Sequence, residues 1–135
     1  MKYISGIYAL NLPCSLETCG DWHCSAIDWT KVPLYESNDR IYGDYGIERN
    51  REVWDNEGRF NVANHIRALL DLIADGQFAA AQGMRNDFVC NDKYTPEIFE
   101  KVALLKKQEN WPGIDKFMGR EYLMQWIGFK RQTDL

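Results

Sequence analysis

Between Cys14 and Cys24 the sequence Cys14-Ser-Leu-Glu-Thr-Cys19-Gly-Asp21-Trp-His23-Cys24 gathers three of the four cysteines and one of the two histidines into eleven residues. Thiolates and an imidazole are zinc ligands, and Cys14, Cys19, His23 and Cys24 would make a tetrahedral set by type. Their spacing contains no Cys-x-x-Cys pair to nucleate a site, so no metal is expected. A second chemistry is acid–base or nucleophilic. On an extended backbone Asp21, His23 and Ser25 share one face, with a carboxylate placed to orient an imidazole beside a hydroxyl. Alternate side chains on a straight strand lie about 6 to 7 Å apart, long for a relay. Cys19 with His23 is a similar pair and needs a thiol of lowered pKa. Against both stands the simplest reading, in which cysteines are small buried hydrophobes, Gly20 makes a turn, Asp21 accepts backbone N–H bonds and Trp22 anchors the following strand.

Two further groups carry polar chemistry. His65 lies beside the apolar stripe of a predicted helix, where it reads as a boundary residue or as one that meets His23 across a helix–sheet junction. Arg67 and Asp71 on the same helix read as an ordinary i, i+4 surface pair. Residues 36 to 57 hold seven acids against three arginines, a local balance of −4 equal to that of the whole chain. This segment is interleaved with Tyr42, Tyr45 and Trp54. Aromatics amid one sign of charge suit a protein partner, because they supply buried area while the charge steers association. Tyr42, Tyr45, Glu48, Glu52, Trp54 and Asp55 are therefore the candidate partner-binding residues. The alternative is a solvated hairpin with inward tyrosines.

The elements that must position these residues follow from periodicity. Tyr3–Leu12 reads as a strand ended by Pro13, and Trp22–Trp29 as a second. Val32–Tyr35 and Ile41–Tyr45 read as a hairpin around Ser37-Asn38-Asp39. From Asn61 the period becomes helical, with Val62, Ile66, Leu69, Leu70 and Ile73 on one stripe, Asn61 as N-cap and Gly76 as stop. Phe78–Gln82 reads as a short helix. Thr95-Pro96-Glu97 opens another, and Pro112 a last one that carries Trp126 and stops near Gly128, with residues 130–135 as a frayed tail. Strands first and helices after predict one α+β domain over residues 1–135, a small antiparallel or mixed sheet packed against three to four helices.

At 135 residues and a net charge of −4, without a basic stripe, the chain is not suited to a nucleic-acid backbone. No apolar run approaches the roughly 20 residues that span a bilayer, and the N-terminus lacks a secretion signal, so a soluble cytoplasmic protein with Cys14, Cys19, Cys24 and Cys90 as free thiols or ligands is expected. Phosphate loops, dinucleotide fingerprints, nucleophile elbows and metalloprotease helices are absent, and no cofactor is expected.

The run Ile7-Tyr8-Ala9-Leu10-Asn11-Leu12-Pro13 followed by Gly20-Asp21-Trp22-His23 resembles a pattern in small bacterial proteins of no assigned activity, some encoded near toxin–antitoxin or phage-defence genes. The resemblance covers residues 1 to 30 and implies a bacterial accessory protein, with no catalytic residue to carry over. The expectation is a cytoplasmic protein-binding or regulatory module, antitoxin-like or of another mobile-element kind, that engages a basic protein partner through residues 36–57. The alternative is a small hydrolase or metal-dependent enzyme centred on Asp21, His23 and a nearby Cys19 or Ser25.

Overall fold

The N-terminal run expected as one strand divides at Ser5. In the computed structural model, which describes all 135 residues, strand β1 is only Lys2–Tyr3 and Gly6–Leu10 is a helix, α1. The β-forming residues are overruled by burial: Ala9, Leu10 and Leu12 are sequestered, and α1 packs chiefly on the central helix described below. Trp22–Trp29 is not a strand either. It contains the 3₁₀ turn Cys24–Ala26 and leads into a second at Trp29–Lys31, where Asp28 accepts from the Thr30 N–H at 3.0 Å.

The expected hairpin at 32–45 is displaced. Strand β2 (Tyr35–Glu36) pairs antiparallel with β1, Tyr3 opposite Tyr35, while residues 41–46 form turns. The true hairpin joins β3 (Ile47–Arg51) to β4 (Phe60–Ala63), with a shift in register between Glu48 and Arg51. A parallel bridge from Ile4 to Val62 links the two pairs, so the sheet is two antiparallel ribbons joined at one point. Gly46 explains the displacement. It has φ +72, and a Cβ there would stand 2.7 Å from Cβ of Arg67, so the chain turns at a point of close contact where a strand had been expected.

The central helix α2 (His65–Ala74) follows the predicted stripe, but Asn64 caps it: its Oδ1 accepts from the Arg67 N–H at 2.8 Å. Asn61 lies in β4 and donates to the carbonyl of Lys2 at 3.0 Å. Every residue of α2 from His65 to Ile73 is buried, polar ones included. The C-terminal half supplies α3 (Phe78–Ala81), a π-helical turn over Met84–Val89, α4 (Thr95–Ala103), α5 (Trp111–Tyr122) and α6 (Met124–Thr133). Leu123, at φ +53, breaks the single predicted last helix in two. The last helix does not stop near Gly128, since α6 runs through it to Thr133 and the Leu135 N–H donates to the Lys130 carbonyl at 3.0 Å. Leu69 and Trp126 are fully buried, as their stripes predict. Trp126 stacks on Phe129, meets Phe99 edge-on and donates its indole N–H to Asp115 at 2.8 Å. The α+β class holds, with helices in both halves. No helix is long and apolar enough to cross a membrane.

Candidate functional site

The acidic aromatic segment is mostly built into the fold. Tyr42 is buried and donates to the carbonyl of Lys101 at 2.8 Å, and the hydroxyl of the half-buried Tyr45 donates to Glu97. Glu48, expected in solvent, has an 18 % exposed side chain. It accepts from the N–H and hydroxyl of Ser15 at 2.9 and 2.6 Å and pairs with Arg51, which also donates to the carbonyl of Pro13. Glu36 meets the N-terminal amine at 2.5 Å, and Asp44 accepts from Ser37 at 2.6 Å. What remains free is Asp39 and the far end of the segment: Glu52, Trp54, Asp55 and Glu57 are exposed, with Glu52 in a 3.4 Å pair with Arg59. Trp54 stands edge-on to Trp29 at 5.1 Å between ring centres and borders an open groove of about 680 Å³ whose lining includes Leu12, Pro13, Arg51, Val53 and Asn56.

A buried polar cluster explains where the tyrosines went. Arg67 and Asp71 are no surface pair: Arg67 Nε donates to Asp71 at 3.0 Å with the arginine side chain fully buried. Asp71 also accepts from the hydroxyls of Tyr3 and Ser5, both at 2.6 Å. The guanidinium donates to the carbonyls of Gly43 and Tyr45 at 2.7 and 2.6 Å and lies over the rings of Tyr3 and Tyr42. Both charges are thus desolvated and hydrogen-bonded, the condition for tolerating them inside. The cluster pins residues 42–46 to α2, and Arg40 pairs with Asp71 as well, at 3.5 Å.

The cysteine-rich segment is docked elsewhere. The carbonyl of Phe88 accepts from the N–H groups of Cys19 and Gly20, both at 2.9 Å, which brings the Cα atoms of Cys19 and Cys90 to 5.9 Å, and the two thiols are joined in a disulfide. The expectation of free thiols is corrected for that pair; Cys14 and Cys24 are free. Cys19 therefore cannot be a nucleophile beside His23. No group of three or more His, Cys, Asp or Glu residues is placed to hold a metal ion.

Each histidine acquires its own partners. His23 Nδ1 lies 2.5 Å from Asp21 Oδ1, with the imidazole side chain 81 % exposed. The carboxylate is held by the Trp22 N–H at 2.7 Å and reached by the Asn11 amide at 3.4 Å. Asp21 and His23 thus meet through a turn, closer than the strand reading allowed, whereas Ser25, inside the 3₁₀ turn, has no hydrogen bond to His23.

His65 is buried and does not bond His23. Its Nε2 donates to the carbonyl of Leu12 at 2.7 Å, and its Nδ1 is 2.6 Å from the hydroxyl of Thr18, which lies 3.5 Å from Cys14 Sγ. Gly20 makes room for this arrangement: at φ +74, a Cβ on it would stand 2.6 Å from the imidazole and 2.7 Å from the Leu10 carbonyl. Burial alone would push the Cys14 thiol up. The neighbouring His65 and the Thr18 hydroxyl outweigh it and bring the thiol down to about 7. For His65, burial would lower the imidazole, but the nearby Cys14 and the bond to the Leu12 carbonyl hold it above its ordinary value. The sequence reading missed this pairing because 50 residues separate the two side chains and neither lies in a motif. The available signal was Gly20, a glycine among bulky residues at a point of close approach.

Comparison with protein families, with curated proteins and with solved structures gives no match.

Proposed function

We propose that this chain is a protein-binding module, an accessory or antitoxin-like protein, whose contact surface is the 22–34 loop together with the Trp54 end of residues 36–57. The observation that carries the reading is Trp22, 80 % exposed in a chain that buries 28 apolar residues in one core. A tryptophan left in water has large apolar area and a free N–H to offer, which is why the residue is enriched at the centres of interfaces. Trp54 and Leu34 are also 47 % and 49 % exposed, and Trp54 packs edge-on against Trp29 of the 22–34 loop. Glu52, Asp55 and Glu57 supply the acidic rim that would steer a basic partner. Tyr42, Tyr45 and Glu48 drop out because the fold already uses them.

The test is quantitative affinity purification from the native host with wild type and with Trp22→Ser/Trp54→Ser. A specific partner retained by wild type and lost at least tenfold in the double variant supports the reading, and Glu52→Lys/Asp55→Lys should then slow association and flatten its salt dependence. Equal recovery by all three proteins would overturn it.

One observation favours a second reading, acid–base catalysis at Asp21 and His23. The 2.5 Å contact holds the imidazole by Nδ1 and leaves Nε2 unengaged in solvent, the arrangement of a general base acting on water. With Cys19 oxidised and Ser25 unlinked, no side-chain nucleophile is delivered to it. Esterase assays of wild type against His23→Ala decide this reading, equal rates removing it.

A further inference from the structure

Cys14, Thr18 and His65 form a chain of hydrogen bonds with only two consistent proton arrangements. A carbonyl oxygen can only accept, so His65 Nε2 carries a proton in both, donated to Leu12 at 2.7 Å. In the neutral state Nδ1 accepts from the Thr18 hydroxyl at 2.6 Å, and the hydroxyl oxygen accepts from the Cys14 thiol at 3.5 Å. When the thiol proton passes along the chain both bonds reverse: the imidazolium donates from Nδ1 to Thr18, and Thr18 donates to a thiolate. No polar group loses its partner in either state.

A second, independent feature stabilises the charged arrangement. Asn64 caps α2, so the His65 N–H belongs to the first turn and has no acceptor within the helix. Thr18, whose hydroxyl contacts both Cys14 Sγ and His65 Nδ1, holds the sulfur beside this end of the helix. A thiolate at the N-terminus of a ten-residue helix, with a cation one hydroxyl away, has the two features that activate cysteine nucleophiles. Cys14 is also reachable, since its residue is partly exposed at the surface and unpaired while the imidazole is buried behind it.

We propose that Cys14 is a nucleophilic thiol site that takes small disulfides, with Thr18 and His65 as its proton relay. The Cys14 thiolate attacks one sulfur of a disulfide RSSR, a Cys14–S–S–R bond forms as the S–S bond of the reagent breaks, and RS⁻ leaves. Cys14 is oxidised to the disulfide level while the leaving sulfur is reduced to a thiolate, so no further oxidant enters. The proton held on His65 returns through Thr18 or water to the leaving thiolate. The product is a protein carrying a reversible S-thiolation at the foot of α2, beside Glu48 and Ser15.

The experiment uses full-length Cys24→Ser with its Cys19–Cys90 bond intact, glutathione disulfide as the probe, and intact mass with peptide mapping as the readout. One glutathionyl group on Cys14, absent from Cys14→Ser/Cys24→Ser, is expected. Timed with an aromatic disulfide reagent, the reaction should have a pH midpoint of about 7. At pH 7 it should run about fivefold faster than the same thiol in the urea-unfolded chain, because the gain in thiolate fraction exceeds the loss of intrinsic nucleophilicity that accompanies a lower pKa. Thr18→Val should move the midpoint up toward the ordinary thiol range, and Thr18→Ser should restore it, which separates the relay from a merely structural role. A midpoint in the ordinary range for Cys24→Ser, an adduct on any other cysteine, or a Thr18→Val profile identical to that of the parent would each overturn the proposal.

Discussion

Histidine and aspartate occur both on α2 and in the 21–29 loop, and the two sets have different fates. His65, Arg67 and Asp71 are shut away from water, and together they bind Leu12, Thr18, Gly43, Tyr45, Tyr3 and Ser5. Trp22 and His23 project outward, held only by Asp21, whose own carboxylate is largely covered. The difference shows how ionisable residues are divided between holding a fold and serving a site. A buried charge needs every neighbour it has, so its chemistry is spent inside the molecule. An exposed imidazole with one nitrogen engaged keeps the other for something outside. The Cys14–Thr18–His65 chain stands between these extremes, with a buried base and a reachable thiol.

Breaking the buried side should have the largest effect. Arg67→Met removes the nearer of the two cations paired with the desolvated Asp71 carboxylate, Arg40 at 3.5 Å being the other, and releases the Gly43 and Tyr45 carbonyls, and should cost about 3 to 5 kcal/mol in urea unfolding. A loss near zero would show that water reaches Asp71. Gly20→Ala comes next, at about 1 to 3 kcal/mol, because the new methyl meets the Leu10 carbonyl and His65 at a strained φ; an unchanged thermal midpoint would mean the loop relaxes freely. Thr18→Val should cost about 1 kcal/mol, the worth of one hydrogen bond, since it leaves His65 Nδ1 without its hydroxyl. Smallest of all, Trp22→Ser and His23→Ala should each change stability by less than about 0.5 kcal/mol, as surface substitutions do. A loss above 2 kcal/mol at either would turn the loop into part of the core and withdraw it as a contact surface.

The helices were legible in the sequence wherever the apolar stripe was long, as with Leu69 and Trp126. Short elements were not: β1, β2 and α1 are two to five residues each, and their local preference is decided by what they pack on. Arg67 and Asp71 have the spacing of a surface pair, and only the arrival of Tyr3, Ser5 and residues 43–45 from distant sequence makes them internal. The candidate site was legible as a crowd of sulfur and imidazole groups, and Asp21 does lie against His23, though through a bend and without Ser25, where a strand was expected. Which cysteine met which partner could not be read, because Cys19 finds Cys90 and Cys14 finds His65 through contacts that no local spacing encodes.

The Cys19–Cys90 bond, described above as a local docking of the cysteine-rich segment, joins residues 71 apart and so converts the middle of the chain into a covalent ring. β2, β3, β4, α2, α3 and the whole π-helical turn lie inside that ring, while β1 with α1 and the helices α4 to α6 hang from it as two arms. Under mechanical tension applied at the termini, the load passes across the disulfide and bypasses the ring, whose 71-residue span is withheld from extension. Reduction should therefore lengthen the fully stretched molecule by about 240 Å, at about 3.4 Å per residue.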